Sequence, residues 1–526
     1  MSLQSQYEFL VLLLMAVIVL ELAARRLHLP PAAALIVGGM ALAFVPGLPT
    51  IVFDPHLVLV VFLPPLLLSS AYATVWRDFK RHSATIISLA VGAVFFTSIS
   101  VGIAFHFLFP DLPWAAGLAL GAAVSPPDAV AVKAVLEKLR LPTRITTVLG
   151  GESLVNDASG LVLFHFAVAW TVVGSFSTLD ALGTFTLVAA GGIAIGFPLG
   201  YVGVLILQRL ASSELVITGT MLLAASSYIV AERLGLSGVL STVTTGLLLG
   251  WRQHEIFSAA TRITAGSFWK ILIFLMQSML FILVGLSLRG ILDRIESSDQ
   301  AMSDLIVPAT IIVVVVLLSR FVWLLGSDLL WFTLGRIGLP VKRAPAISVT
   351  LILGWAGIRG PVTLAAALAL PESFPGRDVI LVSAFGVIFV TVLAQGASLP
   401  LLVKVLPSTG LQTSTRLAKD EALARMNVSN AQFAAFSALS SVPPTHEEKC
   451  LLDHYHNRAA RPLSSVLEDE MKSEGMPTRP SAAMLAAIKA GRLELLRMYR
   501  TGEISDGILR KLEQDLDIQE FGSQSL

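Results

Sequence analysis

Between residues 7 and 406 long apolar runs alternate with short polar breaks. The runs fall at 7–24, 31–49, 55–73, 83–109, 113–137, 147–173, 181–208, 214–232, 235–251, 268–288, 305–334, 345–370 and 379–405. A helix needs about 20 apolar residues to cross the hydrocarbon of a bilayer. Inside that hydrocarbon every backbone amide must find a partner within its own segment, which helices provide. The pattern therefore predicts an all-α polytopic membrane protein with about 13 transmembrane helices. From Pro407 onward no spanning run remains. Leu485–Tyr499 and Ile504–Leu516 read as amphipathic helices, the second with Ile508, Leu509, Leu512 and Leu516 on one face. Pro443-Pro444 and the Pro477–Pro480 stretch read as breaks. The expected organisation is a transmembrane domain over 1–406 and a small helical cytoplasmic region over 407–526.

Composition agrees with that class. Only 14% of residues are charged and 55% are hydrophobic, against about 25% charged in ordinary soluble domains. A net charge of +1 gives no reason to expect a nucleic-acid partner. The single cysteine, Cys450, excludes an intramolecular disulfide and any multi-cysteine metal site. No glycine-rich loop leading into Gly-Lys-Ser/Thr is present, so no nucleotide is expected. Met1–Glu8 lacks a basic region, so the first run reads as a retained helix. With the N-terminus outside, inside loops hold Arg25, Arg26, Arg77, Lys80, Arg81, Lys138, Arg140, Arg144, Arg209, Arg252, Arg262, Lys342 and Arg343. Outside loops then hold Arg233, Arg289, Arg294 and Arg377. That asymmetry fits basic cytoplasmic loops and a cytoplasmic C-terminus.

Polar chemistry inside the runs is concentrated in three places. Gly150–Gly160 carries Glu152 and Asp157 with Ser153 and Asn156 between them. Helical spacing puts Glu152 beside Asn156 and Ser153 beside Asp157. A charge at membrane depth is costly unless paired, protonated or bound to an ion, so these residues are functional candidates. Ser125-Pro126-Pro127-Asp128 should break the fifth crossing, because proline removes an amide donor and clashes with the preceding turn. Gly354–Pro361, with Gly357 and Gly360, interrupts the twelfth crossing around Arg359. Arginine stays protonated and needs a carboxylate there; Glu152 is the expected partner. The two broken crossings lie seven apart and so run in opposite directions, the pattern of an inverted repeat with a site between its halves. His165 and Gln277 read as packed polar residues bonding across helices, and Glu232–Arg233 as an interfacial pair.

These residues resemble a bacterial sodium/proton antiporter of the monovalent cation:proton antiporter superfamily, in the branch shared with animal sodium/hydrogen exchangers. Leu63–Leu67, Ser125–Val132, Gly150–Phe164, Phe281–Leu286 and Gly354–Gly360 carry the likeness, in the family's order. The resemblance implies two inverted repeats with two broken crossing helices, usually in a homodimer. It implies that Asp157 and Asp128 bind the ion, with Ser153 as a further oxygen ligand for Na+. Asn156 would position the crossing segments, and Glu152 would pair with Arg359. Asparagine rather than aspartate at 156 implies electroneutral exchange. Na+ and H+ are cargo, so no resident cofactor is expected. Potassium or lithium in place of sodium is the main alternative; a passive cation channel and an intramembrane hydrolase using Ser153, Asp157 and His165 are remote ones. Two positions depart from the family's pattern. Pro127 precedes Asp128 and Ala129 follows it, and Leu68-Ser69-Ser70 stands where many members carry an acid.

Overall fold

The computed structural model of the chain describes residues 3–27, 29–46, 55–128, 131–132, 143–173, 178–297, 302–337, 347–406, 411–439, 449, 452–453, 456 and 482–524. Each of the thirteen apolar runs is met by helix. In order these are α1 (Leu3–Leu27), α2 (Pro31–Ala43), α3 (Pro55–Ala73), α4 (Trp76–Leu108), α5 (Trp114–Val124), α6 (Thr143–Val173) and α7 (Thr178–Leu207). They continue as α8 (Ser213–Arg233), α9 (Gly238–Ile256), α10 (Ala259–Ser297), α11 (Met302–Arg336), the pair α12 (Ile347–Trp355) and α13 (Pro361–Leu368), and α14 (Arg377–Val405). Eight of these helices are long and apolar enough to cross a membrane, and Pro31–Ala43, Leu59–Ala73 and Trp114–Val124 are shorter apolar helices.

The short ones have local causes. α5 stops at Val124 because Pro126 and Pro127 supply no amide donors. α12 ends at Trp355 and α13 restarts on Pro361, whose fixed φ suits a first helical position. α4 and α14 each contain a π-helical turn, at Ser88–Ala93 and Thr391–Gln395, a feature frequent at functional sites.

The chain divides into two compact units, one of residues 1–209, 218–253 and 270–408, the other of 210–217, 254–269 and 409–526. In the first, α5 packs on α4 and α6, and α13 lies against α3, α5, α6 and α14. Leu120, Ala122, Leu154, Ala158 and Ala366 are buried together there. Small residues at these contacts let backbones approach closely, which is how helices associate where lipid removes the hydrophobic drive.

The second unit contains α15 (Leu411–Leu439), α16 (Ala482–Thr501) and α17 (Asp506–Gln524). α16 packs on both others. Ile508, Leu509, Leu512 and Leu516 are buried in its core, on the face their spacing predicted. α15 was not anticipated; Ala424, Val428 and Phe436, spaced in multiples of four, are its buried stripe. Ion pairs tie the unit: His254 Nδ1 to Glu513 Oε2 at 2.5 Å, Arg262 to Asp517, and Arg492 to Asp517 and Glu520 at 2.7 and 2.6 Å.

Candidate functional site

The two interrupted crossings meet backbone to backbone. Pro127 and Arg359 form an isolated antiparallel bridge, and the Asp128 amide donates to the Ile358 carbonyl at 2.7 Å. Unwound backbone at this depth is tolerable only where it is buried or lines a cavity. Here each segment satisfies the other. Asn156 Nδ2 donates to the Pro127 carbonyl at 3.1 Å, so α6 clasps one strand of the crossing. The Arg359 amide donates to Thr391 Oγ1 at 3.1 Å, so the π turn of α14 holds the other. The π turn of α4 plays a similar part: Ser159 Oγ, on α6, donates to the Ala90 carbonyl.

Glycine makes the close approach possible. A Cβ added at Gly360 would stand 2.5 Å from Asp128 Oδ2, so only hydrogen fits opposite that carboxylate. A Cβ at Gly357 would stand 2.6 Å from Arg320 Cδ. Gly357 therefore leaves room for an arginine stem from α11.

That arginine corrects the expected ion pair. Glu152 binds Arg320, not Arg359: Arg320 NH1 and NH2 donate to its two carboxylate oxygens at 2.5 and 2.9 Å. Arg320 Nε donates to the Leu353 carbonyl at the end of α12, at 3.0 Å. Both side chains are almost fully buried. The bidentate fork uses both carboxylate oxygens and fixes the geometry. Arg359 is 1% exposed, and its Nε and NH1 find no acceptor among the described residues. Arg320 was legible as an arginine in the middle of the 305–334 run. Nothing local singles it out, because no proline or glycine breaks the helix around it.

Asp128, Ser153 and Asp157 line one cavity of about 60 Å³, with Pro126, Gly360 and Pro361 in its wall. That exceeds the roughly 15 Å³ that one water requires on the same measure. The three polar side chains are half-buried, whereas Glu152 and Asn156 are buried and are not among the lining residues. Two carboxylates and a hydroxyl on one cavity form an all-oxygen donor set, the kind that hard cations take. Gln277 and Thr363 also line it and were not expected there. His165 lies on an exposed side of α6 and is not among the lining residues, so the hydrolase constellation is not assembled. Glu232 caps α9, accepting from the Gly238 amide at 3.1 Å, where an interfacial pair with Arg233 was expected. Ala129, Val130, Lys138, Arg140, Lys342 and Arg343 lie outside the described residues.

A family model described as "Sodium/hydrogen exchanger, transmembrane" matches residues 10–405. A "Sodium, potassium, lithium and rubidium/H(+) antiporter" of Bacillus pumilus is 33% identical over 64% of the chain, and the chain spans 52% of that relative's length. An uncharacterized Na(+)/H(+) exchanger of Escherichia coli, YjcE, is 30% identical over 87% of each chain. Among solved structures, the sodium proton antiporter MjNhaP1 of Methanocaldococcus jannaschii superposes with a TM-score of 0.60 at 21% identity, covering 77% of this chain and 99% of its own. That likeness is one of fold.

Proposed function

The chain belongs to the transmembrane sodium/hydrogen exchanger family, and from that premise we propose that it exchanges sodium ions for protons across a membrane. The observation that carries the reading is the cavity at the helix crossing, where Asp128, Asp157 and Ser153 lie together. Burial disfavours a charged carboxylate, and either a proton or a bound cation relieves it. Asp157 thus holds a proton or a sodium ion, one at a time. Asp128 and Ser153 supply further oxygens. If only the neutralised site moves across the barrier, flow of one ion requires counterflow of the other. Asn156 is spent on the Pro127 carbonyl and adds no charge, which supports exchange of one sodium for one proton.

The protein acts as a homodimer in the cell membrane, with its N-terminus outside and its C-terminal region in the cytoplasm. Basic loops support that orientation. A second reading, potassium or lithium as the cation, is supported by the name of the Bacillus pumilus relative. Purified protein in proteoliposomes tests both. An imposed sodium gradient should drive proton movement, and a series of alkali cations should rank sodium first. Proton movement indifferent to every cation would reject the proposal.

A further inference from the structure

Gln277 is the polar side chain that α10 contributes to the cation cavity. The other α10 residues in its wall are Leu280 and Phe281, which offer only carbon. The Gln277 Nε2 atom is buried and has no hydrogen-bond partner among the described residues. Buried polar groups in native proteins are nearly always satisfied, so an exception calls for a cause. Packing supplies none, since a leucine would fill similar space without stranding an amide. Turning the carboxamide about its last bond exchanges its oxygen and nitrogen. The side chain lines the cavity, so its neutral carboxamide oxygen is within the wall that meets whatever occupies that cavity.

We propose that the Gln277 carboxamide oxygen is a ligand of the transported cation and sets which cation radius the site prefers. This rests on the antiport reading above. It stands on a different element from the other ligands. Asp128 comes from the crossing, and Ser153 and Asp157 from α6. Gln277 comes from α10 and lines the same cavity. Ser70 and Thr363 also line the cavity with hydroxyls, but Gln277 alone among the lining residues brings a carboxamide. The amide adds a dipole and no charge, so one-for-one exchange is preserved. The reach of the side chain then matters. Asparagine draws the oxygen back by one carbon–carbon bond, about 1.5 Å, and leaves a wider site.

Full-length protein, Gln277→Leu, Gln277→Asn and Asp157→Asn are reconstituted into proteoliposomes and assayed with Li+, Na+, K+ and Rb+ chloride. In Gln277→Leu the apparent KM for the preferred cation should rise about tenfold, the loss of one contact to a charge. The shape of its pH profile at saturating cation should match the parent's. In Gln277→Asn the ratio of potassium to sodium KM should fall about tenfold, again one contact's worth. A purely structural glutamine would shift all four cations equally in both variants. If Gln277→Leu does not yield folded protein, the cation order of Gln277→Asn decides. Unchanged KM values and cation order in the variants overturn the proposal, as does a changed pH profile with cation order intact, which would place the amide on a carboxylate instead. If Asp157→Asn still exchanges, the antiport site itself is misassigned. If Asp157→Asn is silent and the Gln277 variants match the parent, this inference alone fails.

Discussion

Arg320 and Arg359 are both buried arginines near Glu152, yet their loss should have opposite consequences. Arg320 donates twice to the Glu152 carboxylate and once to the Leu353 carbonyl. Arg320→Met leaves the Glu152 carboxyl 1% exposed and without its fork. Removing one partner of a buried pair costs about 3–5 kcal/mol. The lost bond to Leu353 adds about 1 kcal/mol. Among the described residues no carboxylate bonds the Arg359 guanidinium, and two of its nitrogens find no acceptor. Arg359→Met removes a stranded charge, so stability should hold or rise. The double variant Glu152→Gln, Arg320→Met should recover much of the loss of Arg320→Met, because no charge is then left behind. Thermal unfolding in detergent, followed through the eight tryptophans at one heating rate, reads the order. The expected order of midpoints is Arg359→Met at or above the parent, the double variant next, and Arg320→Met lowest. Equal losses from the two single arginine variants would refute the assignment of Glu152 to Arg320.

Three further outcomes follow from the same contacts. Gly360→Ala places a methyl group against the Asp128 carboxylate; it should separate the crossing and abolish exchange while Gly183→Ala, which meets nothing within 4 Å, leaves it intact. Reconstituted transport should not respond to an imposed voltage, and a clear response would contradict one-for-one exchange. In the second unit, burial alone would raise the Glu513 carboxyl, but the His254 hydrogen bond and the charges of His254, Arg262 and Arg492 hold it below its ordinary 4.5. A lowered folded-state value means the contribution is present above 4.5 and lost as pH falls through the folded value. Protease resistance of the C-terminal helices should therefore drop in acid, and Glu513→Gln should flatten that dependence; an unchanged acid profile in Glu513→Gln would reject it.

The helices were legible because apolar run length and proline placement are local signals. Pro126-Pro127 and Gly357–Pro361 announced the two interruptions, and the Ile508–Leu516 face announced the packing of α17. What the sequence withheld was which helices are neighbours. Glu152 and Arg359 are charges in two interrupted or polar segments, so the sequence pattern pairs them with each other. The α11 helix instead brings Arg320 to Glu152, past Gly357, and nothing in residue spacing says so. The π turns at Ser88–Ala93 and Thr391–Gln395 carry no proline or glycine signature strong enough to distinguish them from ordinary apolar helix. Gln277 reads as a residue bonding across helices, and its place in the cavity wall is visible only in the fold.

The account depends most on Asp157 holding a proton and a metal cation in turn. The direct measurement is coupled flux: proteoliposomes are loaded with sodium, an opposing proton gradient is imposed, and sodium and internal pH are followed together. The parent protein should expel sodium against its own gradient with a matching proton uptake, and Asp157→Asn, eluting as the same folded species, should do neither. Sodium movement without counterflow of protons, or coupled exchange retained by Asp157→Asn, would contradict the account.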